Sequence, residues 1–287
     1  MQLFIEQLLN GLAMGSIYAL ITLGLALVYG ILRILHIAHA AIYTIGAYAG
    51  LFLFKLSGSL IIAVAGSMVF CALIGVGIER FVYYPLLKYP PYVPLIGSIA
   101  VMLAIEELCR LIAGPQILTF PATLPFPQIQ IGGLTISSTL MAVYCITALV
   151  LILLWYITSK TELGLAMRAV SQDIPIADAM GINSHLIVSL TFAIGSAIAA
   201  VAGILVGIYY NQVYPTMGAV PAYKTLALIV VGGLGSVPGA VIASLLLGVA
   251  ETLLIGYADI PLPRDALAFI AMIAVLMWRS EGLMGSR

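Results

Sequence analysis

His36 and His39 stand three residues apart in a chain that contains three histidines. At that spacing two imidazoles could share a helical face. They could begin a metal site, pass a proton, or hydrogen-bond between helices at a polar kink. A zinc site needs at least a third protein ligand, and no other His or Cys motif supplies one. A second group is Glu106, Glu107 and Arg110, set in an apolar run. Ionisable groups inside a membrane-length segment are costly, so they face a partner or a water-filled cavity. Glu106 and Arg110, at i and i+4, can pair on one face. That leaves Glu107 as the carboxylate for a cavity, a neighbouring subunit or a substrate ammonium. Glu251 reads as an interhelical polar contact. With no nucleophile–base pair and no GxxxxGK[ST] phosphate loop, neither covalent catalysis nor ATP hydrolysis is expected of this chain.

The elements that hold these groups are set by composition. Of 287 residues, 63% are hydrophobic and 8% charged, and the mean hydropathy is +1.19. A soluble globule of this size must cover itself with more polar surface. The expected fold is therefore all-α and polytopic, an integral membrane protein with one transmembrane domain over residues 1–287. Eight candidate spans cover 8–31, 36–55, 59–83, 92–113, 137–158, 184–210, 237–257 and 263–279. The apolar part of 223–236 is too short to cross a ~30 Å core as a straight helix. Gly232, Gly233 and Gly235 there fit a half-helix ending near the translocation path, or a tight turn near one interface. Cys71, Cys109 and Cys145 lie in apolar runs and read as small buried hydrophobes. The start, MQLFIEQLLNG, lacks a basic region, so the first apolar run is expected as a retained span. The balance of 11 basic and 11 acidic residues gives no reason to expect nucleic acid.

Residues 158–184 form the one long polar island, with Lys160, Glu162, Arg168, Asp173 and Asp178 among small and apolar residues. Asp173 followed by Pro175 predicts a helix start, and Gly181 a stop. The short helix between them would set Ile176, Ala177 and Met180 into a groove on a partner, with Arg168 and Asp178 fixing register at the rim. Its mixed charge argues against a helix lying on lipid, which would be rich in Lys and Arg. If the island is cytoplasmic, Arg33, Arg80, Lys88, Lys160, Arg168, Arg279 and Arg287 fall on that side. Lys55, Arg110, Lys224 and Arg264 fall on the other, which places the N-terminus outside and the C-terminus inside. The 114–136 connection carries Pro115, Pro121, Pro125 and Pro127 and no charge, so it is expected to be extended and stiff.

Four GxxxG pairs, Gly11/Gly15, Gly46/Gly50, Gly203/Gly207 and Gly235/Gly239, predict close helix crossings, within one subunit or between two. Gly11, Gly15, Ala19, Leu23 and Gly24 repeat the spacing of Gly235, Gly239, Ala243, Leu247 and Gly248. Chance in a glycine-rich chain accounts for that echo, and so would an inverted repeat.

The run GLAMGSIYALITLGLALVYGILRILHIAHAAIYTIGAYAG resembles the first two helices of permeases from branched-chain amino acid ABC importers. The island segment TELGLAMRAVSQDIPIADAMGIN, followed by LTFAIGSAIAAVAGILVG, resembles that family's cytoplasmic loop. YPTMGAVPAYKTLALIVVGGLGSVPGAVIASLLLGVAE resembles its final third, so the blocks cover nearly the whole chain in order. At the family's Asn-Phe-Ala-His-Gly segment this chain has His36, Ile37, Ala38, His39 and Ala40. His39 matches, while His36 and Ala40 depart. The resemblance implies a permease working by alternating access in a bacterial inner membrane. Its partners would be a second permease, two cytoplasmic ATPases that hold the ATP and Mg, a periplasmic binding protein and surrounding lipid. It implies substrates among leucine, isoleucine and valine, or related amino acids, amides or urea. The rival is a secondary transporter or channel driven by an ion gradient, for which Glu106, Glu107 and His39 are the candidate groups.

Overall fold

The computed structural model describes residues 2–121, 124, 128–131, 134–257, 265–279 and 281–284. Pro125, Pro127, Arg264 and Arg287, used in the sequence reading, lie outside the described residues, as do the first two residues of the last expected span. Helix α1, Gln2–Leu32, is apolar all round and almost wholly covered by protein, which makes it the axis of the bundle. Its 31 residues span ~46 Å, more than a bilayer core, so it must tilt or protrude. Around it stand α2 (His39–Ser57), α3 (Leu60–Ile78), α4 (Tyr84–Leu86) and α5 (Tyr92–Ala113). They are followed by α6 (Ser138–Lys160), α7 (Glu162–Gln172), α8 (Ile174–Ala179), α9 (Ser184–Tyr209), α10 (Ala219–Gly232), α11 (Val237–Tyr257) and α12 (Ala266–Trp278). A π-helical turn at Glu79–Tyr83 joins α3 to α4, so the third span runs unbroken from Leu60 to Leu86.

Six helices among the described residues are long and apolar enough to cross a membrane. The α5 helix has the length but carries three charges, and α10 and α12 are shorter. The outward faces of α3, α5, α6 and α12 expose large apolar side chains such as Phe81, Leu111, Ile152 and Trp278. Such a surface suits lipid. The proline-rich connection adds a two-stranded antiparallel hairpin, β1 (Ile129–Ile131) with β2 (Leu134–Ile136), to an otherwise helical chain. Its Leu118 bridges Val213, just past the end of α9.

The glycine pairs bring backbones together. A Cβ on Gly11 or Gly15 would lie 2.8 Å from the Cα of Val249 or Leu245. Residues rising along α1 thus meet residues falling along α11, and the two helices of the sequence echo pack antiparallel. Gly46 and Gly50 face Ala200 and Ile204, and Gly203 faces the Tyr43 carbonyl, so α2 and α9 run parallel. Gly207 packs instead on Val213 and Phe120 of the connections. Gly235 departs from the pairing read in the sequence. It has φ +84° in the turn after α10, where a Cβ would lie 3.8 Å from the Cα of Gly30 on α1, whereas Gly239 packs on Gly232. Of the cysteines, Cys71 is buried, but Cys145 is exposed on the outward face of α6.

The short segment begins four residues before the expected half-helix. With 14 residues, α10 reaches ~21 Å, short of the ~30 Å core. It stops at Gly233, with φ +105°, a conformation costly to a residue with a Cβ. The carbonyls freed at its end are met from elsewhere. Leu283 N donates to Val231 O at 2.8 Å and Met284 N to Gly232 O at 3.0 Å. Broken backbone at depth is stable only when its polar groups are satisfied in this way.

Candidate functional site

Lys224, 1% exposed, lies in the second turn of α10 and directs its ammonium at three oxygens. Its Nζ is 2.8 Å from Glu251 Oε1 on α11, 2.8 Å from Asp265 Oδ1 before α12, and 3.0 Å from the Tyr18 hydroxyl on α1. Tyr18 in turn donates to Glu251 Oε2 at 3.0 Å, and its ring lies 4.9 Å from the ammonium. Tyr223 donates to Asp265 Oδ2. Four elements are thus tied through one cation. Beside the cluster opens a cavity of about 250 Å³, lined among others by Tyr43, Tyr210, Tyr214, Gln212, Lys224 and Asp265. The sequence reading counted Lys224 as a loop charge and left out Asp265 and Tyr18. The signal was present, because Lys224 and Glu251 are opposite charges inside apolar runs, and such charges seek one another.

The histidines lie deeper and apart from this cavity. His36 belongs to the non-helical 33–38 break, and its Nδ1 is 2.5 Å from the Tyr83 hydroxyl. His39 opens α2 and its Nε2 is 3.1 Å from the Ile21 carbonyl. The His39 ring sits where Gly24 has no side chain, beside the contact of Gly24 with Gly195 on α9. Both imidazoles therefore tie the broken helix pair to its neighbours. No three His, Cys, Asp or Glu residues among the described ones gather as metal ligands.

On α5 the pairing inferred from spacing is reversed. Arg110 Nη1 bonds Glu107 Oε1 at 2.7 Å on the exposed face, while Glu106 is 7% exposed against the bundle. Both i+3 and i+4 partners are within reach on a helix, and packing of the apolar face decided which was outside. Glu107, and not Glu106, is therefore the carboxylate paired with Arg110. The buried Glu79 was also missed; its Oε2 accepts from Ser189 at 2.7 Å, joining the π turn to the start of α9.

The polar island forms α7 and α8. Thr161 caps α7, which turns sharply back on α6; a Cβ at Gly164 would strike the Thr158 carbonyl. Asp173 caps α8 by accepting from Ile176 N at 2.9 Å, with Pro175 in the first turn. Gly181, φ +87°, ends it, with Gly181 N on Asp178 O and Ile182 N on Ala177 O, both at 3.0 Å. Arg168, although exposed, donates to the Thr158 carbonyl, and Asp178 accepts from Ser184 N at 3.1 Å. These two charges hold the island's shape. Beside the exposed Asp178, α8 presents Ile176, 63% exposed, and its C-cap Met180, 78% exposed, whereas Ala177, expected with them, packs inward at 3%. The island precedes α9 and the cavity lies at its far end, ~39 Å away for 26 residues, so the two face opposite sides of a bilayer core.

The whole arrangement matches a known one. The profile described as branched-chain amino acid transport system / permease component fits residues 7–276. The chain belongs to this permease family. It is 35% identical over 297 residues to the high-affinity branched-chain amino acid transport system permease protein BraD of Pseudomonas aeruginosa, covering 98% of this chain and 96% of that one. LivH of Salmonella typhimurium, a permease of the same description, is 32% identical with the same coverage. The galactofuranose transporter permease YtfT of Escherichia coli is 33% identical, but over only 45% of this chain and 36% of its own. A solved inward-facing ABC transporter chain, described as of the metal-chelate type, superposes with a TM-score of 0.52 at 15% identity. It covers 96% of this chain and 87% of that one, and it shares the fold. The chain is a multi-pass membrane permease and not an enzyme.

Asp178 gives one prediction. Its bonds to Ser184 hold the carboxyl below the ordinary aspartate value of 3.8. A lowered folded value means that the contact is complete above the ordinary value and is lost as pH falls through the folded one. Carboxyl-carbon NMR of aspartate-labelled protein should show an Asp178 midpoint below 3.8, absent in Asp178→Asn. A midpoint at or above 3.8 would contradict the bond to Ser184.

Proposed function

We propose that this chain is the permease subunit of an ATP-driven importer that moves a branched-chain or related amino acid inward by alternating access. The family match across residues 7–276 carries the reading. The island supports it, since α8 offers exposed Ile176 and Met180 on a capped helix, suited to a groove on a cytoplasmic ATPase. Two such ATPases would hold ATP and Mg, and a periplasmic binding protein would deliver substrate to the opposite face. A second permease, identical or paralogous, would complete the pathway in a bacterial inner membrane, with this chain's N-terminus outside.

The test is capture of the co-expressed ATPase by tagged protein in detergent, comparing wild type with Ile176→Asp/Met180→Asp. Loss of two apolar anchors should cost at least ~2 kcal/mol of association, or ~30-fold in captured ATPase. Arg168 and Asp178 are poor probes, because changing them would also disturb the island. Equal capture by the double variant would remove α8 as the docking element. The buried Lys224–Glu251 pair is the one observation favouring an ion-driven carrier. Uptake that persists without the ATPases and collapses with a protonophore would establish that alternative.

A further inference from the structure

We propose that an aliphatic slot between α11 and α12 binds one phospholipid, with an acyl chain lying against α10 and the phosphate at Arg279. The inference needs only that the chain spans a bilayer, and it is independent of the solute carried. The slot has a volume of about 260 Å³. The described residues that line it are all Ala, Val or Leu, drawn from α10, α11, α12 and Leu283. Ala227 and Val231 of α10 are buried and belong to its floor. Leu246 and Ala250 on α11 are exposed, and Ala271 and Val275 on α12 are half-buried, so these pairs form two rims. The slot therefore opens between α11 and α12 onto the outward surface, where Ile273 and Leu276 also stand exposed.

Its chemistry selects hydrocarbon. A water would find no hydrogen-bonding side chain among the described lining residues. An aliphatic cavity of about 150 Å³ already stays dry and takes up benzene, and this space is larger. Left empty, its walls forfeit the dispersion contacts of a filled core. Within a bilayer the hydrocarbon at hand is lipid chain, and the slot is continuous with the lipid-facing surface of α12. From Ala268 to Val275 it runs ~10 Å along that helix.

Arg279 supplies the contact for a headgroup. It caps α12 four residues after Val275, and its backbone N–H donates to the Val275 carbonyl. The residue is exposed, next to the exposed Trp278. Tryptophan and arginine at the end of an apolar helix mark the headgroup level, and a guanidinium is fitted to phosphate. Only ~6 Å of helix separates Arg279 from Val275 on the rim, so a phosphate held there delivers its chain to the mouth of the slot. The slot also borders the broken end of α10. Leu283 N donates to the Val231 carbonyl, and both residues line the slot. An acyl chain would pack on both partners of that bond, holding α12 and Leu283 against α10.

The experiment is thermal unfolding of the delipidated transporter complex in detergent, titrated with dioctanoyl phosphatidylglycerol, glycerophosphoglycerol or L-leucine. The phospholipid should raise the midpoint saturably, and the headgroup without chains should not. Arg279→Gln should raise the lipid concentration at half-effect about tenfold, through loss of a charge-assisted contact. Ala271→Phe puts a ring into the slot and should abolish the saturable response. Ala250→Phe does the same from the opposite rim, which keeps the test decisive if one variant does not fold. No saturable response in wild type, or a response undiminished in Arg279→Gln or in either folded Phe variant, would overturn the proposal. Stabilisation by L-leucine that disappears in the Phe variants would overturn it too, by giving the slot to the solute. Loss of a second permease from the complex in those variants would give it to that subunit instead, with the same consequence.

Discussion

Lys224→Met is expected to remove about 3–5 kcal/mol of stability, because it takes the paired ammonium away from the enclosed Glu251 carboxylate. Glu251 is 0% exposed, and α1 and α11 meet so closely at Gly11, Gly15 and Gly248 that water has no route to it along that crossing. Against a typical total of 5–15 kcal/mol, a loss of this size leaves little folded protein at elevated temperature. The double variant Lys224→Met/Glu251→Met removes both charges and should return to within about 1–2 kcal/mol of wild type, since apolar replacement of a buried pair is often neutral. Asp265 does not prevent that recovery, being partly exposed and held by Tyr223. Detergent-solubilised unfolding of the two single variants and the double variant gives the coupling directly. If Lys224→Met unfolds like wild type, the ammonium is not what holds α1, α10 and α11 together. A double variant that folds while ATP-driven uptake fails would assign the pair to transport as well as to structure.

The sequence disclosed elements more readily than partners, for a physical reason. A bilayer demands long apolar runs with internally paired backbone, so α1, α3, α6, α9 and α11 stand out as runs. The end of α10 was legible at Gly232 and Gly233 because breaking a helix there requires a residue without a side chain. The caps of α8 were legible because Asp173 and Gly181 act on their own neighbours. Glu106 and Glu107 were misread because adjacent residues differ by a rotation about the helix axis. Only the packing of α5 on the bundle sets that rotation, and one sequence does not contain it. Lys224, Glu251, Tyr18 and Asp265 lie far apart along the chain, and their meeting depends on which helices cross. Intramembrane charge gave a reason to look for a partner, and the antiparallel pairing of α1 with α11 supplied the place.

The small residues at those crossings carry the second large effect. Gly203→Ala is expected to cost about 3 kcal/mol, the upper end for overpacking, although it adds a single methyl group. The methyl would enter the Tyr43 carbonyl and lie 3.1 Å from Ala47 N, and neither is a side chain that can turn aside. Helices α2 and α9 would have to separate, loosening the contacts of Gly46 with Ala200 and of Gly50 with Ile204 that lie along the same face. Gly77→Ala is the matched control, the same chemical change on α3 with nothing within 4 Å of the added methyl. It should be neutral or stabilise by up to about 1 kcal/mol, through helix propensity alone. Opposite signs from one substitution would show that close approach of α2 to α9, and not glycine's flexibility, fixes residue 203. Equal effects would mean that the crossing yields without cost and that the bundle is held elsewhere. Because lipid provides no hydrophobic drive between helices, a crossing spread by one methyl has little to draw it closed again. Unfolding of the purified protein should therefore shift far more for Gly203→Ala than its size suggests.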